Sequence, residues 1–240
     1  MDEQELYSIR ERLLYEMKRG AYAQAEKLPA EAVLAVSLGI SRTQLRDSLA
    51  SLEREGFIVR RQGIGTVINR QVLAVTTRMD LEKEFLDMVA ETGAKPGIAF
   101  VEVDTVFADE EMSKRLLVSA NTPVIRVSRA ITADDRTAIY CIDYVSFHVV
   151  KKYTYHKEDL EKPIFYFLEK FCDISVYMDL TVVRPMVADR RLGELFGIEA
   201  GSPILYMDEV GYDIDSRPVL WSKEYYADGI FEHTVLRKKI

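Results

Sequence analysis

Arg42, Thr43, Gln44 and Arg46 fall within five residues, directly after Gly39-Ile40-Ser41. A second basic pair, Arg60 and Arg61, stands before Gln62-Gly63-Ile64-Gly65. Guanidinium and carboxamide groups form bidentate hydrogen bonds with guanine and adenine edges, and guanidinium also neutralises phosphate. Thr43 suits a phosphate or a thymine methyl. Gly63 and Gly65 permit a sharp turn and let backbone approach a minor groove. Alone, the first set is equally a solvated helix face and the second an ordinary hairpin. Together, in this order, they are a way to read DNA, provided a helix presents one and a strand ribbon the other.

The flanking pattern supplies those elements. Leu6, Ile9, Leu13, Leu14 and Met17 recur at helical spacing over residues 3–19, and Gly20 ends that helix. Leu28-Pro29 is an extended entry to a short helix over Ala30–Ser37. Ser41 is a good N-cap for a third helix running to about Glu55, with Leu45, Leu49 and Leu52 inward. Gly56 stops it, and Phe57–Arg60 and Thr66–Asn69 form the strands of a wing. Residues 71–80 show no clear period and read as a linker. Beyond a helix over Leu81–Glu91, strand-like runs alternate with short helices. The strands are Ala99–Phe107, Val124–Thr132, Ala138–Phe147, Ile174–Val183, Ile204–Tyr212 and Val219–Tyr226. The helices are Glu110–Leu117, Glu158–Phe171 and Ala188–Phe196. Asp134-Asp135 and Asp213 to Ser216 are turn chemistry for two hairpins. The fold class is α+β: a winged helix–turn–helix domain over 1–70, the linker, and a domain over 81–240 built on a mostly antiparallel sheet. No internal repeat or low-complexity tract is visible.

Composition narrows the function. The chain has 240 residues, 48% of them apolar, enough for two cores. Its net charge is −7, yet residues 1–70 carry 11 Lys+Arg against 10 Asp+Glu, so the excess acid lies downstream. A near-neutral domain binds DNA if its basic groups share a face. No apolar run reaches membrane-span length, the acidic N-terminus does not suit a signal peptide, and Cys141 and Cys172 form no motif. These features fit the cytoplasm. His148, His156 and His233 lack partners at metal-ligand spacing, and no nucleophile or phosphate-loop motif is present. The expectation is therefore no metal, no cofactor and no catalytic residue.

The chain resembles the GntR family of bacterial transcription regulators, in its HutC-like branch. The resemblance rests on Lys27 to Glu31, Leu34-Ala35, Leu38 to Arg46, Leu52 to Ile58 and Arg61 to Thr66. In the second half it rests on Gly93 to Pro96, Arg129, Pro203, and Arg217 to Tyr226 with Asp228 and Phe231. It implies a dimeric repressor or activator that binds double-stranded operator DNA through Arg42, Thr43, Gln44, Arg46, Arg60, Arg61, Gly63 and Gly65. It also implies an effector-sensing UTRA domain of chorismate-lyase-like fold. The family's usual Ser and Arg are replaced by Ala30 and Ala32, and Glu84, Ile131 and Cys141 depart from the sensing-domain pattern.

Arg129 is the candidate for an anionic effector group, since guanidinium grips carboxylate or phosphate with paired bonds; a structural salt bridge is the alternative. Ser222, Glu224 and Tyr226 alternate and so share one face of the last strand, which the resemblance turns toward the effector. With Ile131 where a second Arg is common, a carboxylate or smaller polar metabolite is favoured over a sugar phosphate. Two other functions compete: a fused lyase-like enzyme, and a domain that only dimerises.

Overall fold

Leu13, Met17, Leu34, Leu45, Leu49 and Leu52 are each at most 1% exposed, and they join three helices: α1 (Ile9–Lys18), α2 (Glu31–Leu38) and α3 (Arg42–Arg54). The structure is a computed structural model, and residues 8–239 are described; the expected start of the first helix lies outside them. Gly39, at φ +67°, ends α2. Ser41 then opens α3 with a capping box: its Oγ accepts from Gln44 N at 3.2 Å, and Gln44 Oε1 accepts from Ser41 N at 3.0 Å. Ala30 precedes α2 with no side-chain cap. Strands β1 (Ile58–Arg61) and β2 (Gly65–Ile68) form the antiparallel wing. Leu28 N donates to the Thr66 carbonyl at 2.9 Å, tying the wing to the strand-like entry before α2.

The stretch expected to be a linker is folded. Helix α4 (Arg70–Leu73) and strand β3 (Thr77–Arg78) bury Val72, Leu73, Thr77 and Arg78. Arg70 Nη1 donates to the Met17 carbonyl at 2.7 Å, and its Nη2 donates to the carbonyls of Tyr22 and Ala25. Arg78 lies 5.0 Å from the Phe57 ring centre, donates to the Glu55 carbonyl at 2.6 Å and pairs with Asp80. Elements this short print no period in a sequence; two arginines gripping backbone carbonyls order them. The chain's last residues also depart from expectation. His233–Thr234 pair in parallel with β3, and Lys238 Nζ donates to the carbonyls of Glu53 and Arg54, both at 2.7 Å. A cation there complements the carbonyl end of α3. The chain thus divides into two compact units, 8–80 with 233–239, and 81–232.

The second unit contains α5 (Phe85–Glu91), β4 (Pro96–Phe107), α6 (Glu110–Leu116), β5 (Pro123–Ala133) and β6 (Arg136–Ser146). There follow α7 (Lys157–Leu160), α8 (Ile164–Cys172), β7 (Met178–Val187), α9 (Arg190–Phe196), β8 (Pro203–Tyr212) and β9 (Pro218–Ala227). The helix expected over 158–171 is two helices, because Pro163 starts the second. The expected strand 174–183 begins later, at Met178, and the helix expected from Leu81 begins at Phe85. The six strands make one antiparallel sheet in the order β4-β5-β6-β9-β8-β7. Phe167, Phe171 and Leu168 of α8 pack with Ile125, Val127 and Val145 of the sheet. α6 joins the cluster of Val124, Tyr144 and Trp221, and α9 that of Tyr140, Ile204 and Ala227.

This sheet is built twice, although the sequence shows no repeat. β4-α6-β5-β6 and β7-α9-β8-β9 follow the same course. Ala108 N donates to the Thr122 carbonyl at 2.9 Å and Asn121 N to the Ala108 carbonyl at 2.8 Å; Ala188 does the same with Ser202 and Gly201, at 2.8 and 2.7 Å. Asp109 and Asp189 cap α6 and α9 through Met112 N and Leu192 N, each at 2.8 Å. The copies meet where Ile142 lies opposite Lys223; there Cys141 faces Glu224 as Asp143 faces Ser222. Beyond cap and turn chemistry only a few strand positions match, such as Pro123 with Pro203 and Tyr144 with Tyr225. Most strand positions carry different side chains, which is why composition and periodicity hide the duplication.

The bare cap at Ala30 is correctable. Ala30→Ser gives the first turn of α2 a hydroxyl acceptor and is expected to stabilise the first unit by about 1 kcal/mol, read as a higher urea midpoint of its unfolding transition. No gain would mean the α2 amides are satisfied some other way.

Candidate DNA-reading surface and effector cavity

Arg42, Thr43, Gln44 and Arg46 are all exposed, on the first turns of α3. Their surroundings distinguish them. Among the described residues Arg42 makes no ion pair. Gln44 Oε1 is engaged twice, by Ser41 N and by Ser41 Oγ at 2.8 Å. A bidentate adenine contact by Gln44 would have to break that box; without DNA its carboxamide oxygen serves as a cap. Arg46 Nε donates to Glu31 of α2 at 2.8 Å. Glu31 raises the Arg46 pKa through that bond. On the wing, Arg60 is held by Glu53, through its backbone N at 2.7 Å and its Nε at 2.8 Å. Arg61, Gly63 and Gly65 are exposed, with Gly63 at φ +75° and Gly65 at φ +99°. Exposed ion pairs contribute little because water screens them, so Arg46 and Arg60 can exchange a carboxylate for phosphate.

The four effector candidates converge within the second unit. Arg129 (β5), Ser222 and Glu224 (β9) line a cavity of about 350 Å³, its open mouth included. Tyr226 stands behind, its hydroxyl donating to Glu224 Oε2 at 2.5 Å. Residues 82–85 and 163–165 form the opposite walls. Glu84 lines the cavity, where its carboxyl is raised by desolvation. Ile131 is buried, and Cys141, buried between Arg129 and Glu224, has its thiol pushed up by desolvation.

Arg129 is not a bare anion clamp. Its side chain is 6% exposed and pairs with Asp143 at 3.4 Å. Its Nη1 donates to the Lys162 carbonyl at 3.0 Å, while its Nε has no partner. Asp143 also accepts from Ser222 Oγ at 2.8 Å. The cavity wall carries two cations, Lys83 and Arg129, against five carboxylates: Glu82, Glu84, Asp143, Glu209 and Glu224. Lys83 pairs with Glu91. One carboxylate oxygen each of Glu82, Asp179 and Glu209 lie within 4.8 Å of one another, close enough to surround a cation. Glu209 accepts from the Thr181 hydroxyl, and Asp179 Oδ1 is buried without a partner. Desolvation raises Glu209 to about 7 and Asp179 to about 6. Glu224, desolvated and beside Glu209, is held well above the usual carboxylate range. Sequence reading missed Glu82, Asp143, Asp179 and Glu209, which come from four separate segments; the duplicated register alone relates Asp143 to Glu224.

A winged helix–turn–helix unit joined to an α+β unit with a polar cavity is the plan of a DNA-binding regulator. The chain belongs to the GntR family: the profile for bacterial regulatory proteins of the gntR family matches residues 7–68, and that of the UTRA domain matches 91–231. It is a transcriptional regulator with an effector-binding domain, and not an enzyme. It is 23% identical over 210 residues to the HTH-type transcriptional repressor NagR of Bacillus subtilis (strain 168), covering 86% of this chain and 83% of that one. It is 23% identical over 212 residues to the probable fructoselysine utilization operon transcriptional repressor of Escherichia coli (strain K12), covering 88% and 86%. Among solved structures, the possible transcriptional regulator YydK of Bacillus subtilis has a TM-score of 0.74 at 18% identity, covering 95% of this chain and 99% of that one. PhnF of Mycobacterium smegmatis has a TM-score of 0.59 at 19% identity, covering 95% and 96%. These likenesses show the fold.

The raised carboxyls make stability depend on pH. An unfolded glutamate titrates near about 4.3, whereas folded Glu209, facing Thr181, Asp179, Asp143, Glu82 and Glu224, keeps its proton up to about 7. The folded state therefore binds more protons in that window, so stability falls as pH rises through it and levels off above. Between pH 5 and 8 the wild-type melting temperature should drop further than that of Glu209→Gln. The comparison cancels every group common to both proteins; parallel curves would place the Glu209 carboxyl in water.

Proposed function

We propose that the protein is a cytoplasmic, homodimeric, effector-controlled repressor of transcription. Arg42 at the exposed start of α3 reads a base edge in the major groove. Arg46, Arg60 and Arg61 hold phosphates, Thr43 a phosphate or thymine methyl, and the Gly63–Gly65 turn follows the adjacent minor groove. The convergence of Arg129, Ser222 and Glu224 on one open-mouthed cavity carries the effector half of this reading. A small polar metabolite bound there shifts the dimer between DNA-ready and DNA-free arrangements, to the extent that its affinities for the two differ. Absence of any helix long and apolar enough to cross a membrane among the described residues accords with it.

Dimerisation is assigned to the second unit. β7 is an edge strand, and Met178, Leu180, Val182, Val183, Met186 and Val187 are all exposed along it, Leu180 by 65%. A long apolar edge left open is an aggregation hazard unless a partner covers it. Two copies would present recognition helices to a two-fold operator with half-sites about 34 Å apart, or a multiple of that.

Two measurements test this. Arg42→Ala should weaken operator binding by roughly 1–3 kcal/mol in a gel-shift titration, with the fold unchanged by circular dichroism; unaltered binding would remove α3 from the groove. Light scattering at micromolar concentration should give a dimer for wild type and a monomer for the Leu180→Asp, Val182→Asp double variant. A dimeric double variant would move the interface elsewhere, and a monomeric wild type would end the dimer reading.

A further inference from the structure

The duplicated sheet places Arg129 and Glu209 at equivalent positions, each on the second strand from its own edge of the sheet: Arg129 lies opposite Cys141, and Glu209 opposite Ser222. It likewise equates Asp143 with Glu224, through the pairings Asp143–Ser222 and Cys141–Glu224. In the first copy the pair is a cation and an anion, Arg129 with Asp143. In the second it is two carboxylates, Glu209 with Glu224, each 7% exposed, and Glu82 and Asp179 add more negative charge to that side. Burying like charges without a counter-ion is unfavourable. Among the described residues each of the two accepts from one hydroxyl, Thr181 for Glu209 and Tyr226 for Glu224. The cation that the second copy lacks has a place to stand, and it opens on the cavity.

We propose that the effector carries a protonated amine, which lies between Glu209 and Glu224 as the Arg129 guanidinium lies against Asp143. This rests on the reading of the cavity as the effector site. The rest of the wall defines the rest of the molecule. Arg129 lines the cavity and its buried Nε has no acceptor among the described residues, so the effector offers that side a hydroxyl or a carboxylate oxygen. Phe85, Phe165 and Leu220 give the amine's carbon skeleton an apolar seat, and an aromatic ring near an ammonium adds cation–π attraction. A bare divalent ion would fill the carboxylate side and leave that apolar seat and Arg129 Nε unused. The class is therefore a small amino alcohol, amino sugar or amino acid, and the anion expected from Arg129 alone gives way to it.

The test uses the full chain and matched probes in thermal shift and calorimetry. Ethanolamine is set against ethylene glycol, glucosamine against glucose, and lysine against its hydroxyl analogue, with a hexose phosphate and magnesium or manganese ions as separate arms. At least one amine should raise the melting temperature while its hydroxyl counterpart does not, and Glu209→Gln and Glu224→Gln should each weaken that binding by about tenfold or more. A second variant needs no ligand. Glu209→Arg builds the first copy's ion pair into the second, and should melt higher than wild type and no longer respond to the amine. Arg129-dependent binding of the hexose phosphate with no amine response would overturn the amine and leave the effector cavity standing. Glu209-dependent binding of the metal ion alone would overturn it in favour of a metal site. No binding by any probe, with Glu209→Arg no more stable than wild type, would overturn both the amine and the cavity's role.

Discussion

A carboxylate moved out of water needs hydrogen bonds, a counter-ion or a proton. That requirement organises the second unit. The inner strands β5, β6, β9 and β8 place Arg129, Asp143, Glu224 and Glu209 on one face, too deep for bulk water to screen. Asp143 is answered by Arg129 and Ser222, and Arg129 in turn holds the carbonyl end of α7. The wall opposite the sheet is thus fastened by the same guanidinium that balances the charge. Among the described residues Glu209 and Glu224 accept from hydroxyls only, and desolvation together with the neighbouring carboxylates raises both carboxyls.

The other face of the sheet solves the same problem completely. Asp208, 3% exposed, accepts from Trp221 Nε1 at 2.9 Å and pairs with Arg115 of α6, and Trp221 stacks on Tyr144 with ring centres 4.6 Å apart. Among the described residues both carboxylate oxygens of Asp208 have partners. One face is a closed structural network and the other is left short of a cation, and this asymmetry separates core from binding site.

In the first unit the charges lie at the surface and the balance is looser. Glu31 and Glu53 hold Arg46 and Arg60 in place without burying them. Such pairs keep the basic side chains oriented in the absence of DNA and give them up at low cost, since phosphate offers guanidinium the same kind of charged acceptor. The buried arginines behave differently. Arg70 and Arg78 grip backbone carbonyls, and through them the segment after the wing becomes part of the fold.

The sequence by itself determined the three helices and wing, because leucine spacing, the Ser41 cap and the Gly39, Gly56 and Gly63 punctuation are local properties. It also determined the strands of the second unit, and that Arg129, Ser222 and Glu224 belong together by their family pattern. Tertiary structure decided what local patterns do not carry. Gln44 is legible as a base reader and equally as the third residue of a capping box, and only geometry shows that its carboxamide oxygen is already engaged. The chain from Arg70 to Arg78 has no period, and its order comes from contacts with residues far back in the sequence. The duplication of the sheet survives in hydrogen bonds and register after nearly all its side chains have diverged. Glu82, Asp143, Asp179 and Glu209 become one charged wall only when strands distant in sequence lie side by side, since electrostatic coupling depends on separation in space and on burial, neither of which is written in residue order.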